Sequence, residues 1–347
     1  MDQWNAKPQK GRRTYWEVPE PGSPDALSAA RRTYAWIGFA ISVIILASNA
    51  ATVLIQVLTR LLAPEVYASP IFQVASGTLP MYLFGFLPAY LMLRRLPRVP
   101  LRKNKVSVRM YLLLFVFCFG MMMLGQIISN NTINLLEFIT GYPIGSSLDE
   151  LLSDVPVFVT VIFSVILAPI MEELIFRKLL IDRLTPIGGF GAVLVSAILF
   201  GLFHGNFYQA FYAAGLGLIL GWVYLYSGGN ILYSTSLHML FNLFGGVLIP
   251  MLTTRIGLDT EEGITIDAIA AHPVAFLLLF FYFLFVLASF ITMWIFFAQK
   301  KREIKEPLEV YPSPVGGTGR QVGAFFSNPG MPVLLLLLAA MFVLSCL

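Results

Sequence analysis

Residues 164–180 read SVILAPIMEELIFRKLL. Apolar residues flank two adjacent glutamates, Glu172 and Glu173, and Arg177 follows one helical turn later. Such flanks belong to a membrane span, where each unpaired carboxylate costs about 3 kcal/mol on the insertion scale. Glu173 and Arg177 are four apart, share a helix face and can pair, with the acid N-terminal to the base. Glu172 lies about 100° around the helix, and its own i+4 neighbour is Phe176. It therefore either carries a proton or meets partners from other helices. Pro169 removes one main-chain hydrogen bond just before the pair, which predicts a kink and a freed carbonyl at Val165.

Composition extends this reading to the whole chain. Its 347 residues are 57% hydrophobic and 12% charged, with mean hydropathy +0.78, against about 25% charged in soluble domains. Runs long enough to cross about 30 Å of hydrocarbon occur near 35–62, 71–93, 108–129, 156–182, 188–205, 207–227, 229–250 and 273–298, and a short ninth covers 331–347. The expected fold is an all-α, polytopic transmembrane bundle of about eight to nine spans. Short turns around Gly205-Asn206 and Ser227–Asn230 make their flanking helices antiparallel neighbours. The organisation is a disordered cytoplasmic tail (1–33), a membrane bundle (34–298), a cytoplasmic linker (299–330) and a C-terminal hydrophobic segment (331–347). Composition leaves the tail and the linker without a core to fold around.

Apart from Arg60 and Arg255, every basic residue falls in the tail, the 94–109 loop, the end of the fourth span or the 299–330 segment. The opposite loops hold Glu65, Glu137, Asp149, Glu150, Asp154, Asp259, Glu261, Glu262 and Asp267. The positive-inside rule then places the N-terminus in the cytoplasm. Topology accounts for the basic residues, so no nucleic-acid partner is expected. Cys118 and Cys346 are not spaced as a disulfide framework or zinc knuckle.

Polar residues inside spans are rare and tend to mark function. Here they form three consecutive groups. The first is Glu172, Glu173 and Arg177. The second, FGLFHGNFYQ, carries Phe200, His204, Asn206 and Gln209. The third, SLHMLFN, carries His238 and Asn242. Phe200 and His204 share a helix face, as do His238 and Asn242. A carboxylate, two imidazoles and an amide converging in a bundle can hold and deprotonate a water and stabilise an oxyanion. Taken singly, each group has a plainer reading: an ion pair or histidine gluing helices, or an asparagine serving turn chemistry at Gly205-Asn206.

Together the three groups resemble the CPBP family of intramembrane proteases, which includes CAAX-processing endopeptidases of the Rce1 type and bacteriocin-processing and immunity-associated proteins. Its EExxxR motif matches Glu172 to Arg177, its FxxxH motif Phe200 to His204, and its HxxxN motif His238 to Asn242. The protease core would lie at about 155–250. The resemblance implies an intramembrane endopeptidase acting on a peptide or protein substrate at the bilayer. Glu172 would activate water, His204 would orient it, and His238 and Asn242 would polarise the scissile carbonyl. Glu173 and Arg177 would be support, with Phe200 and Asn206 beside them.

No cofactor is favoured. Zinc is the one metal the donors suggest, as a His₂Glu set of Glu172, His204 and His238 with an open position. That set lacks the HExxH spacing, and Glu172 as a ligand would leave the water without a base. Two other classes fit less well. A non-catalytic protein could bind or chaperone a peptide through the same cluster. A proton-coupled transporter would be expected to show inverted repeats. One geometric difficulty stands: counting rise per residue, Glu172 and His204 differ by about 10 Å in depth. A tilted fourth helix, or a fifth that begins outside the membrane, would close that gap.

Overall fold

The computed structural model describes residues 22–144, 155–257 and 265–346. Lys7, Lys10, Arg12 and Arg13, and the acidic residues Asp149, Glu150, Asp154, Asp259, Glu261 and Glu262, lie outside them. The described residues are helical, with no strand among them. In chain order the helices are α1 (Pro24–Leu62), α2 (Pro70–Leu93), α3 (Val108–Thr140), α4 (Val157–Ile187), α5 (Gly189–Phe203), α6 (Phe207–Tyr226), α7 (Ile231–Arg255), α8 (Ile266–Ala271), α9 (Pro273–Gln299), α10 (Lys301–Glu309), α11 (Thr318–Phe326) and α12 (Gly330–Leu344). A single turn, Pro64–Tyr67, joins α1 to α2.

Local chemistry sets the ends of these helices. Ser23 accepts from the amide of Ala26 and Pro24 opens α1, a favourable start. Ser107 caps α3 in the same way, and α3 ends at Gly141, whose φ of +73° is left-handed. Asn206 and Asn230 cap α6 and α7. Helix α1 thus begins inside the segment read as a tail, about ten residues early.

Among the described residues, seven helices are long and apolar enough to cross a bilayer: α1–α4, α6, α7 and α9. The expected fifth span is the fifteen-residue α5, and the expected ninth is the fifteen-residue α12, which meets α11 at a 72° bend. Counting the bent pair as one span gives eight. Helix α5 begins at Gly189, which donates its amide to the carbonyl of Tyr311, 2.8 Å away. Residues 299–330, expected as an open linker, contain α10 and α11 and bury Leu308, Tyr311, Val315 and Ala324. The Tyr311 hydroxyl also accepts from the amide of Arg102 at 2.5 Å. Pro and Gly content suggested open chain, but four apolar anchors tie the segment to the bundle.

Two apolar cores hold the helices around the polar residues. One joins α1, α4, α5 and α12 through residues such as Ile37, Ile41, Phe176, Leu180, Phe200 and Leu334. The other joins α3, α6, α7 and α9 around Phe119. Helices α1 and α12 cross at two glycines: a Cβ on Gly330 would fall 2.0 Å from the Ala35 oxygen, the close approach that small residues permit in membranes. The 94–109 loop, the end of α4 and the end of α6 meet at Asp182. That carboxylate lies 3.9 Å from Arg98 and 3.4 Å from Lys178, and accepts from Tyr224 at 2.7 Å. The basic groups Arg98 of the loop and Lys178 of α4 are therefore on one face.

Candidate active site

Helix α4 carries the two glutamates, and its backbone is not a plain α-helix. Residues 161–167 and 174–181 are π-helical, on either side of the glutamates. Such bulges recur at functional positions. The amide of Ala168 bonds the carbonyl of Phe163, five residues back. The next position in that register pairs residue 169 with Ser164, and Pro169 has no N–H to give. In that register the carbonyl that Pro169 leaves without its main-chain donor is Ser164; in an α-helical count it is Val165. Asn242 supplies the missing donor: its side-chain amide donates to the Ser164 oxygen at 2.8 Å.

Glu173 and Arg177 are fully buried, with Arg177 Nε 3.1 Å from Glu173 Oε2. The contact is off the N–H axis, so it is an ion pair and not an aligned hydrogen bond. Arg177 Nη1 donates to Ser196 Oγ at 3.3 Å, and Ser196 in turn donates to the Phe176 carbonyl at 2.6 Å. The guanidinium also lies 4.8 Å from the Phe200 ring centre. Burial of such a pair is tolerable only because its partners are close.

His238 joins both acids, which the spacing did not reveal. Its Nδ1 lies 3.2 Å from Glu173 Oε1 and its Nε2 3.6 Å from Glu172 Oε2. The Glu172 side chain keeps 16% exposure, while Glu173 has none. Among the described residues Glu172 receives no hydrogen bond, and it lines a cavity of about 1210 Å³.

His204 lines the same cavity. It is the C-cap of α5, and its Nδ1 lies 2.8 Å from the Phe200 carbonyl. A carbonyl only accepts, so Nδ1 carries the proton and Nε2 is left for another partner. Gly205 follows with φ +67°, and Asn206 donates to the His204 carbonyl while accepting from the Gln209 amide. The turn chemistry of Asn206 thus fixes the end of α5. Phe200 stands between the imidazoles, edge-on to His204 at 5.1 Å and to His238 at 5.6 Å.

The structure therefore brings Glu172, Phe200, His204, Asn206, His238 and Asn242 to one cavity, with Glu173 and Arg177 buried behind it. Glu172 and His204 line this one cavity despite the difference in depth of about 10 Å counted from the sequence. His272 lies away from the cavity, capping α9. Among the described residues, no three His, Cys, Asp or Glu side chains are grouped to hold a metal ion. Sequence reasoning missed Thr78, Gln126, Thr160, Tyr208 and Tyr212 in the lining. Gln126, a polar residue within an apolar span, was open to the same rule that found the rest.

Residues 154–244 match the family described as Type II CAAX prenyl endopeptidase Rce1-like. Over these residues the chain is similar to an Rce1-like domain. The matched segment runs from just before α4 into α7 and contains every residue of the three motifs. The UPF0177 protein YxdF of Lactococcus lactis subsp. lactis (strain IL1403) is 31% identical over 120 residues, which cover 34% of this chain and 66% of that protein. The chain thus matches just under two thirds of that relative. No solved structure matches. Helices α1–α3 and α9–α12 lie outside the matched segment, yet α3, α10 and α12 pack directly on it.

Proposed function

We propose that the chain is an intramembrane endopeptidase whose Glu172 acts as general base on a water held in the cavity. The observation that carries this reading is the unequal treatment of two adjacent acids. Glu173 is fully buried and held by Arg177 and His238, whereas Glu172 faces the cavity with His238 Nε2 beside it. A carboxylate held that way has a lone pair to spend on a water proton.

In this reading His204 Nε2 accepts from the same water and aims it. The hydroxide attacks the scissile carbonyl carbon, and the amide of Asn242 donates its second N–H to the oxyanion that forms. A proton on both ring nitrogens would let His238 donate from Nε2 to the same oxyanion while Nδ1 donates to Glu173. Glu172 then passes the captured proton to the leaving amine as the peptide bond breaks. Every step uses side chains of this chain, and no metal takes part.

The substrate is a peptide or protein segment reaching the cavity from the membrane. A prenylated C-terminal peptide is the class that the Rce1-like match suggests. The charge distribution supports a cytoplasmic N-terminus and cleavage close to that surface. The test is purified protein in liposomes with a peptide library in prenylated and unprenylated forms. New peptide termini are expected with the wild type and not with Glu172→Gln. No cleavage of any peptide by the wild type, with peptide retained in the cavity, would make the protein a binder.

A further inference from the structure

A second cavity, of about 710 Å³, lies among α3, α5, α6, α9 and α10. We propose that it holds one acyl chain of an anionic phospholipid, with the phosphate at Arg102 and Arg109. The proposal does not depend on the endopeptidase reading.

Three observations carry it. The first is depth. Met110, Leu114, Phe117 and Met121 line the cavity from α3 at spacings of four, three and four, so they form one face. Those eleven residues rise about 16 Å, close to half of the roughly 30 Å hydrocarbon layer. The cavity is as deep as one leaflet. The second is polarity. Apolar side chains of α5, α6 and α9 make the other walls, and the charged lining residues gather at one end: Arg102, Arg109, Lys300, Glu303 and Glu306.

The third is the balance of charge at that rim. Lys300 Nζ lies 2.6 Å from Glu303 Oε1, so these two neutralise each other. Arg102 and Arg109 make no ion pair among the described residues, leaving two guanidiniums against the single carboxylate of Glu306. The N-terminus of α3 adds its positive end at Ser107, also in the lining, which favours an anion. Topology explains why basic residues sit on this face. It does not explain a leaflet-deep apolar slot beneath two unneutralised arginines, which is the form of a basic interhelical lipid site.

Trp222 lines the slot, and its indole N–H donates to the Ile304 carbonyl of α10 at 2.9 Å. That fixed ring supplies the probe. The full chain is placed in vesicles containing a chain-brominated phosphatidylglycerol or, at equal fraction, a chain-brominated phosphatidylcholine. The fluorescence of Trp222 is taken as wild type minus Trp222→Phe. Quenching is expected to favour the anionic lipid by about fivefold per arginine, and to reach parity in Arg102→Gln/Arg109→Gln. Equal quenching by both lipids in the wild type would overturn the proposal, as would a preference that survives the double substitution. Loss of the preference on adding inorganic phosphate alone would show a free-anion site and equally overturn the acyl-chain assignment. Native mass spectrometry of co-purified lipid gives a second readout that needs no tryptophan substitution: the wild type should retain anionic phospholipid and the arginine variant should not.

Discussion

The side-chain amide of Asn242 donates to the main-chain oxygen of Ser164 at 2.8 Å, filling the place of the N–H that Pro169 lacks. A residue of the third motif thus repairs the backbone of the helix that carries the first. Asn242→Ala leaves that oxygen without its donor, and about 1–3 kcal/mol of stability should be lost. Pro169→Ala restores an N–H in the right register. The loss on Asn242→Ala should therefore be smaller in a Pro169→Ala background, a coupling measurable by a double-mutant cycle of unfolding in detergent. Additive effects would mean that the two groups do not serve the same oxygen.

Arg177 makes a different prediction. Arg177→Met strands Glu173 without its nearest cation, at a cost of about 3–5 kcal/mol. Folded yield and thermal midpoint should both fall. Removing the acid as well, in Arg177→Met/Glu173→Gln, should recover most of the loss, since the stranded charge is then gone. An equally unstable double variant would show that Arg177 acts through packing on Phe200 and Ser196.

His204 should affect chemistry more than stability. Its Nδ1 holds the Phe200 carbonyl, but Gly205 and Asn206 end α5 by themselves. His204→Gln is expected to lower kcat by about 10²–10⁴-fold, with the thermal midpoint little changed. A variant that loses its fold and its activity together would make His204 a cap and nothing more.

Metal removal separates two chemistries. With Glu172 as a base and no metal, dialysis against a strong chelator should leave peptide cleavage intact. Loss of activity restored by zinc, and not by magnesium or calcium, would require a metal-bound water. Glu172 would then be a ligand.

The site was legible in sequence because its residues obey i,i+4 spacing, which survives any arrangement of the helices. Glu173 and Arg177, Phe200 and His204, and His238 and Asn242 each share a face for that reason. What failed to show was anything set by contacts between distant segments. The contact of His238 with both glutamates depends on how α7 packs on α4. The π-helical register that sets Ser164 opposite Pro169 has no composition signature. The bond from Gly189 to Tyr311 joins residues more than a hundred apart. Leu308, Tyr311, Val315 and Ala324 are buried in the 299–330 segment, whose prolines and glycines read as open chain.

In the proposed mechanism Glu172, and not Glu173, takes the proton from water. Single-turnover cleavage by wild type and Glu172→Gln, with peptide affinity measured in parallel, addresses it most directly. Loss of the general base should slow cleavage by at least about 10²-fold while peptide affinity and thermal midpoint stay near those of the wild type. Cleavage by Glu172→Gln at close to the wild-type rate would contradict the assignment and leave the cavity without its base.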